Sequence, residues 1–146
     1  MDLSFQEKSA WGLLIGLVGV SLFYFPAAFA VAERVPHGAP LIAVSVVGVI
    51  ALVVFEIVYH ALIAAGGRVD AGDERDALID LKAERNAAYV LGIGLFWLVG
   101  AIVWRSVVEA VPVPNPLQIA VFILLAITVS EVSKLLWQIW YYRTGV

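Results

Sequence analysis

The stretch "PLIAVSVVGVIALVVFEIVYHALIAA", residues 40–65, decides the fold of this chain. It is longer than the ~20 residues that a helix needs to cross the hydrocarbon core of a bilayer. Its acidic and imidazole side chains are Glu56 and His60. Three further apolar stretches of similar length cover about residues 10–31, 87–108 and 117–142. The sequence therefore predicts an all-α integral membrane protein with four transmembrane helices.

The composition supports this class. The chain has 146 residues, of which 62 % are hydrophobic and 14 % charged, against about 25 % charged in soluble proteins. The apolar runs do not alternate with polar residues, so they do not have the pattern of β-barrel strands. We expect one four-helix domain over residues 1–146. We expect its first apolar run to be a membrane span and not a cleaved signal peptide, because acids accompany Lys8 in the tail before it.

The positions of Lys and Arg predict the orientation, because short cytoplasmic loops carry the excess of basic residues. Two basic residues, Arg34 and Arg105, lie near the loops on one side. The side with the termini carries six: Lys8, Arg68, Arg75, Lys82, Arg85 and Arg143. The N and C termini should therefore be cytoplasmic. The two loops on the opposite side are short and Pro-rich, which leaves no room there for a separate domain.

Four ionisable side chains fall within the predicted spans. Glu56 and His60 lie four residues apart in the second helix, and Glu131 and Lys134 lie three apart in the fourth. At 1.5 Å per residue, Glu56 and Lys134 both come out ~12 to 13 Å from the cytoplasmic helix ends. We expect them to form an ion pair between the second and fourth helices. The expected polar cluster comprises Glu56, His60, Glu131 and Lys134, helped by Tyr59, Ser130 and Ser133.

This cluster leaves two interpretations open: an ion pair that fixes helix register, or a proton or cation path. A metal site is not expected, because Glu56 and His60 supply only two ligands and Lys134 would repel a divalent ion. A bis-His haem is excluded because His37 and His60 belong at opposite ends of the bundle. The sequence has no Cys and no nucleophile paired with a base, so we expect neither an enzyme nor a cofactor. It has no basic patch that would indicate nucleic-acid binding.

A charged stretch, "GDERDALIDLKAER" at residues 72–85, precedes the third span. Asp73 is a candidate N-cap, and no Gly or Pro follows before Gly92, so the third helix should extend into the cytoplasm from about residue 73. Helical spacing places the acids on one side and the bases on the other. The bases could face anionic headgroups, and the acids the chain's own N-terminal tail or a partner; a merely solvated helix end is the third possibility. The candidate partner surface comprises Asp73, Glu74, Arg75, Asp76, Asp80 and Glu84.

The first span carries Gly12, Gly16 and Gly19 at helical spacing. Small residues in such a stripe let two helix backbones approach closely. The partner helix could belong to the same chain or to a second copy, and the spacing alone does not decide between them.

Two motifs carry a resemblance. "FQEKSAW" at residues 5–11 and "DERD" at 73–76, with a Lys-Ala-x-Arg spacing into the third span, resemble small bacterial four-span inner-membrane proteins of unknown function. Some relatives look like partners of helix-turn-helix regulators encoded beside them. The resemblance therefore implies a docking role for the cytoplasmic loop and a bacterial inner-membrane location. It implies no catalytic residues.

Together these features predict a non-enzymatic inner-membrane protein. We expect a homo-oligomer, an accessory subunit of a larger membrane complex, or a docking partner through the 70–86 segment. The alternative is a small proton- or cation-coupled transporter that uses the intramembrane Glu/His/Lys cluster.

Overall fold

The computed structural model describes residues 4–34, 39–65, 74–109, 112 and 114–145. These residues form four α-helices: α1 (Phe5–Arg34), α2 (Ala39–Ala65), α3 (Glu74–Val107) and α4 (Pro116–Thr144). All four are long enough and apolar enough to cross a membrane. The prediction of four membrane-spanning helices is confirmed, and the chain has the architecture of a multi-pass membrane protein.

Two helices begin earlier than their apolar runs. α1 begins at Phe5 because the Glu7 N–H donates to the Ser4 hydroxyl at 3.1 Å, which satisfies one of the free donors of the first turn. α3 begins at Glu74 and continues without a break to Val107, as the sequence predicted. The expected N-cap of α3, Asp73, lies outside the described residues.

Asn115 fixes the start of α4. Its side chain accepts from the Gln118 N–H at 2.9 Å, and the Gln118 side chain accepts from the Asn115 N–H at 3.0 Å, which is a capping box. The Asn115 amide also donates to the Ala32 carbonyl at 2.8 Å. One residue therefore both caps α4 and attaches it to the last turns of α1.

The helices lie side by side in the order α2, α1, α4, α3. α1 contacts both α2 and α4, and α4 also contacts α3. We call the end of the bundle that contains Phe5 and Thr144 the terminal end. Two apolar clusters hold α1 against α4: Ala10, Leu14, Leu135 and Ile139 towards the terminal end, and Phe25, Ala28, Ala32 and Val121, with Leu41 of α2, towards the other.

Glycines bring α1 against α2. A Cβ added at Gly12 would overlap the Tyr59 ring, and one at Gly16 would overlap the Phe55 ring. The two rings stack with their centroids 6.0 Å apart. Nothing lies within 4 Å of a Cβ added at Gly19, so the third glycine takes no part in this contact. Gly12 and Gly16 therefore serve packing within the chain.

Small residues also bring α3 against α4. Ile79, Ala83 and Ala87 are buried at intervals of four along α3. The Ser130 hydroxyl donates to the Ala87 carbonyl at 2.8 Å, so α4 approaches the backbone of α3 closely. The large apolar side chains elsewhere on α3 are mostly exposed, as expected of a helix that faces lipid.

Candidate functional site

Two acids in the first turns of α3, Asp76 and Asp80, bond to the chain's own fourth helix. Asp80 accepts a hydrogen bond from Gln138 at 2.9 Å, and the Tyr142 hydroxyl donates to Asp76. Arg75 donates to the Tyr142 carbonyl at 3.4 Å. Part of the candidate partner surface is thus bonded within the chain. Glu74 and Glu84 remain exposed to the surroundings, and so does Asp80 despite its bond to Gln138.

A cavity of about 430 Å³ lies where the starts of α1 and α3 meet the end of α4. Its charged lining residues are Asp76 and Asp80. The other lining residues are Phe5, Gln6, Ser9, Ala10, Leu13, Ala77, Gln138 and Tyr142. The acidic side of α3 therefore faces the N-terminal residues of the chain, which is one of the two arrangements that charge segregation indicated.

A second cavity, of about 200 Å³, lies deeper among α1, α2 and α4 and is mainly apolar. Leu17 lines it one helical turn beyond Leu13, which lines the first cavity. The two cavities therefore follow the same face of α1. A hydrogen bond of 3.0 Å between the Tyr24 and Ser45 hydroxyls joins α1 to α2 beside the second cavity.

Glu131 lies between the two cavities along α4. On α4, Thr128 lines the second cavity and Gln138 lines the first. Glu131 follows Thr128 by three residues and precedes Gln138 by seven, so helical spacing places all three on the same face of α4. Glu131 is exposed, near the midpoint of α4, about 20 Å from either helix end at 1.5 Å per residue.

Glu56 borders the same space from α2. Val49 and Leu52 line the second cavity, and Glu56 continues their stripe at helical spacing. Its neighbour Phe55 lies against Gly16 of α1, while Val132 of α4 packs against the apolar cluster that contains Leu14 of α1. Glu56 and Glu131 are therefore within about one turn of the same level. We call this face, which contains Asp76, Asp80, Glu131 and Glu56, the acidic groove.

The expected ion pair between Glu56 and Lys134 is not among the contacts of the described residues. The ion pairs there join Glu7 to Arg143 and Arg105 to Glu109. In the bundle, α1 lies between α2 and α4 and contacts both of them. Lys134 lies one turn from Ser130 and one from Gln138, both of which bond to α3, so it occupies the side of α4 that faces α3.

His60 joins α2 to α1 and does not contact the α4 members of the expected cluster. Its Nδ1 lies 2.9 Å from the Glu56 carbonyl, which can only accept, so Nδ1 carries a hydrogen. Its Nε2 then accepts from the Ser9 hydroxyl at 2.9 Å. Tyr59 donates to the Lys8 carbonyl at 2.7 Å, so two adjacent side chains attach α2 to the first turns of α1.

Two residues outside the predicted site complete the terminal end. Glu7 is buried and accepts from Arg143 Nε at 3.1 Å. The Arg143 guanidinium carbon lies 5.4 Å from the centre of the Trp11 ring, within cation–π range. The serine-x-x-glutamate pattern at Ser4 and Glu7 could have indicated the helix start, but nothing local indicates a partner at the other end of the chain.

Within the described ranges, His, Asp and Glu side chains do not gather in groups of three that could hold a metal ion. The acidic groove instead presents separate carboxylates along an apolar helix surface. Such a surface can receive a cationic side chain or ion, or pass protons between carboxylates. The fold and this face define a multi-pass membrane protein with an acidic groove. Comparisons with known protein families, curated proteins and solved structures found no match to the chain.

Proposed function

We propose that this chain is a non-enzymatic subunit of a bacterial inner-membrane assembly, and that its partner chain binds the acidic groove. The exposure of Glu131 at the midpoint of α4 carries this proposal. A carboxylate at such depth costs about 2.5 to 3.5 kcal/mol when it faces lipid. Covering the groove with a second copy or another subunit would remove that cost.

The terminal end extends the same surface. Asp80 and Glu84 are exposed in the first turns of α3, and Asp80 lines the first cavity together with Asp76. Helical spacing places Glu84 one turn further along this side. A partner with basic residues at the terminal end and along its span would be complementary to the whole face. This supports docking through the 70–86 segment together with the groove.

The distribution of basic residues supports a cytoplasmic terminal end. Lys8 lies at the start of α1, and Arg143 lies at the end of α4. Three more bases lie in the first turns of α3: Arg75, Lys82 and Arg85. Arg34 and Arg105 lie at the opposite end. By the positive-inside rule, this distribution supports an orientation with both termini in the cytoplasm.

Site-directed cross-linking tests the assembly proposal, and the lack of native Cys makes it simple. Ile127→Cys places a probe one turn from Glu131 on α4. Labelled with a photoactivatable maleimide in native membranes, it should give a cross-linked protein adduct, because a partner covers the groove. The adduct is measured by gel mobility and mass spectrometry.

Phe96→Cys is the matched control, since Phe96 is 82 % exposed on α3. It should give mainly lipid adducts. Equal protein adducts at positions 96 and 127 would count against a partner in the groove. A protein adduct of twice the mass of the chain would identify a second copy, and another mass would identify an accessory subunit.

A second function, proton- or cation-coupled transport, is favoured by the second cavity: helical spacing from its lining residues on α2 and α4 puts Glu56 and Glu131 on the faces that border it, at nearly the same level. Carboxylates so placed could exchange a proton or bind a cation in turn. In vesicles that contain a pH-sensitive dye, Glu131→Gln should then reduce proton flux at least tenfold. Glu109→Gln, in an exposed ion pair at the other end, should not. Equal flux in wild type and Glu131→Gln would remove this function and leave the assembly proposal standing.

A further inference from the structure

The outer face of α3 carries a second stripe, opposite the acidic groove. Arg75, Leu78, Lys82, Arg85 and Tyr89 recur at intervals of three and four residues, which places them on one face of the helix. Arg75, Leu78, Arg85 and Tyr89 are exposed and Lys82 is half-buried. We call this set the basic stripe.

The charge of this stripe is not neutralised within the described part of the chain. The ion pairs there involve Arg143 and Arg105, and neither involves Lys82 or Arg85. Asp76 and Asp80, the acids of the preceding turns, are bonded towards α4, and Glu84 lies about 100° or more around the helix from both Lys82 and Arg85. The helix therefore separates its charges: Asp76, Asp80 and Glu84 share one side, and Lys82 and Arg85 lie on the other without an ion-pair partner among the described residues.

Exposed apolar side chains accompany these bases. Leu78 is 51 % and Leu81 66 % exposed, although both lie among charged residues in the first turns of α3. The face continues through Tyr89 to Ile93 and Phe96, which are 70 % and 82 % exposed. A surface that runs from bases through a tyrosine to apolar and aromatic side chains matches the change from headgroups to hydrocarbon.

Depth assigns the two central bases to the headgroup layer. If Tyr89 marks the edge of the hydrocarbon, Arg85 lies about 6 Å and Lys82 about 10 Å beyond it at 1.5 Å per residue. The polar layer of one leaflet is roughly 5 to 8 Å thick, and the long stems of both residues reach back towards it. Arg75 lies about 21 Å beyond Tyr89, outside this layer.

We infer that Lys82 and Arg85 bind the phosphate of an anionic phospholipid in the surrounding bilayer, with Tyr89 against its glycerol region. Charge complementarity supports a lipid headgroup, and continuity with the apolar face of α3 places that headgroup at the membrane surface. The inference is independent of what binds the acidic groove on the other side of the helix.

Native mass spectrometry of the purified chain in neutral detergent tests this inference. The protein is titrated with phosphatidylglycerol and, separately, with phosphatidylcholine of the same acyl chains. Wild type should bind phosphatidylglycerol more tightly. Lys82→Gln with Arg85→Gln should weaken phosphatidylglycerol binding by on the order of tenfold or more, and each single change by about fivefold, with phosphatidylcholine binding unchanged. Circular dichroism verifies that the variants keep their helices.

Arg34→Gln with Arg105→Gln is the matched control, because it removes two exposed charges from the other end of the bundle. It should leave phosphatidylglycerol binding unchanged. Equal affinity of wild type for the two lipids, or equal phosphatidylglycerol binding by the Lys82/Arg85 variant, would overturn the inference. Displacement of the lipid by millimolar inorganic phosphate would also overturn it. So would a changed subunit number in the Lys82/Arg85 variant with unchanged lipid affinity, because that result would assign the basic stripe to an interface between copies.

Discussion

Replacing Gly12 with leucine is expected to separate α1 from α2 at the terminal end. A side chain there would overlap the Tyr59 ring, and that ring cannot move without breaking its 2.7 Å hydrogen bond to the Lys8 carbonyl. The adjacent contact between His60 and Ser9 would open with it. Since overpacking of a close contact costs about 1 to 3 kcal/mol, and a hydrogen bond about 1 more, we expect a loss of roughly 3 kcal/mol in the free energy of unfolding.

The measurement is reversible unfolding in mixed micelles, followed by circular dichroism. Gly19→Leu is the control: it lies in the same helix, but nothing is within 4 Å of an added Cβ, so the unfolding free energy should stay the same or rise slightly. Tyr59→Ala in the Gly12→Leu background should recover part of the loss. Equal destabilisation at positions 12 and 19 would mean that the glycines matter for another reason than this contact.

The helices themselves could be predicted from the sequence because crossing a bilayer requires a long apolar run and full internal hydrogen bonding. The extension of α3 was also predictable, since no Gly or Pro interrupts it before Gly92. The early start of α1 was missed because the apolar run begins later. The pattern of Ser4 and Glu7 is the local signal that would have indicated it.

The order of the helices could not be predicted in the same way. Lipid-facing and protein-facing surfaces are both apolar in a membrane, so hydrophobicity does not identify neighbours. The glycines of α1 indicated a close approach without naming α2 as the partner. For the same reason, the depth count placed Glu56 and Lys134 level but could not show that α1 separates their helices. The acidic groove depends on the order in which the helices pack. The sequence therefore indicates its separate carboxylates but not that they share one face of the bundle.

The buried pair of Glu7 and Arg143 is the second position at which a large effect is expected. The Glu7 side chain is 9 % exposed and its partner 57 %. Arg143→Met would leave a carboxylate buried without its cation and would also remove the contact with Trp11. Such a loss costs about 3 to 5 kcal/mol in a fully buried pair, and the exposure of Arg143 reduces this to about 2 kcal/mol in the unfolding measurement described above.

A double-mutant cycle separates the energy of the Glu7–Arg143 ion pair from the packing energy of the methylene groups of the two side chains. Glu7→Gln removes the charge that Arg143 compensates, so Glu7→Gln with Arg143→Met should destabilise by at least 1 kcal/mol less than the sum of the single changes. The matched control is Arg105 with Glu109, which are 3.8 Å apart with about half of each side chain exposed. Arg105→Met should cost no more than about 0.5 kcal/mol, because solvent screens an exposed pair. Additive effects at positions 7 and 143 would show that the termini are held by the apolar contacts of α1 and α4 and not by this ion pair.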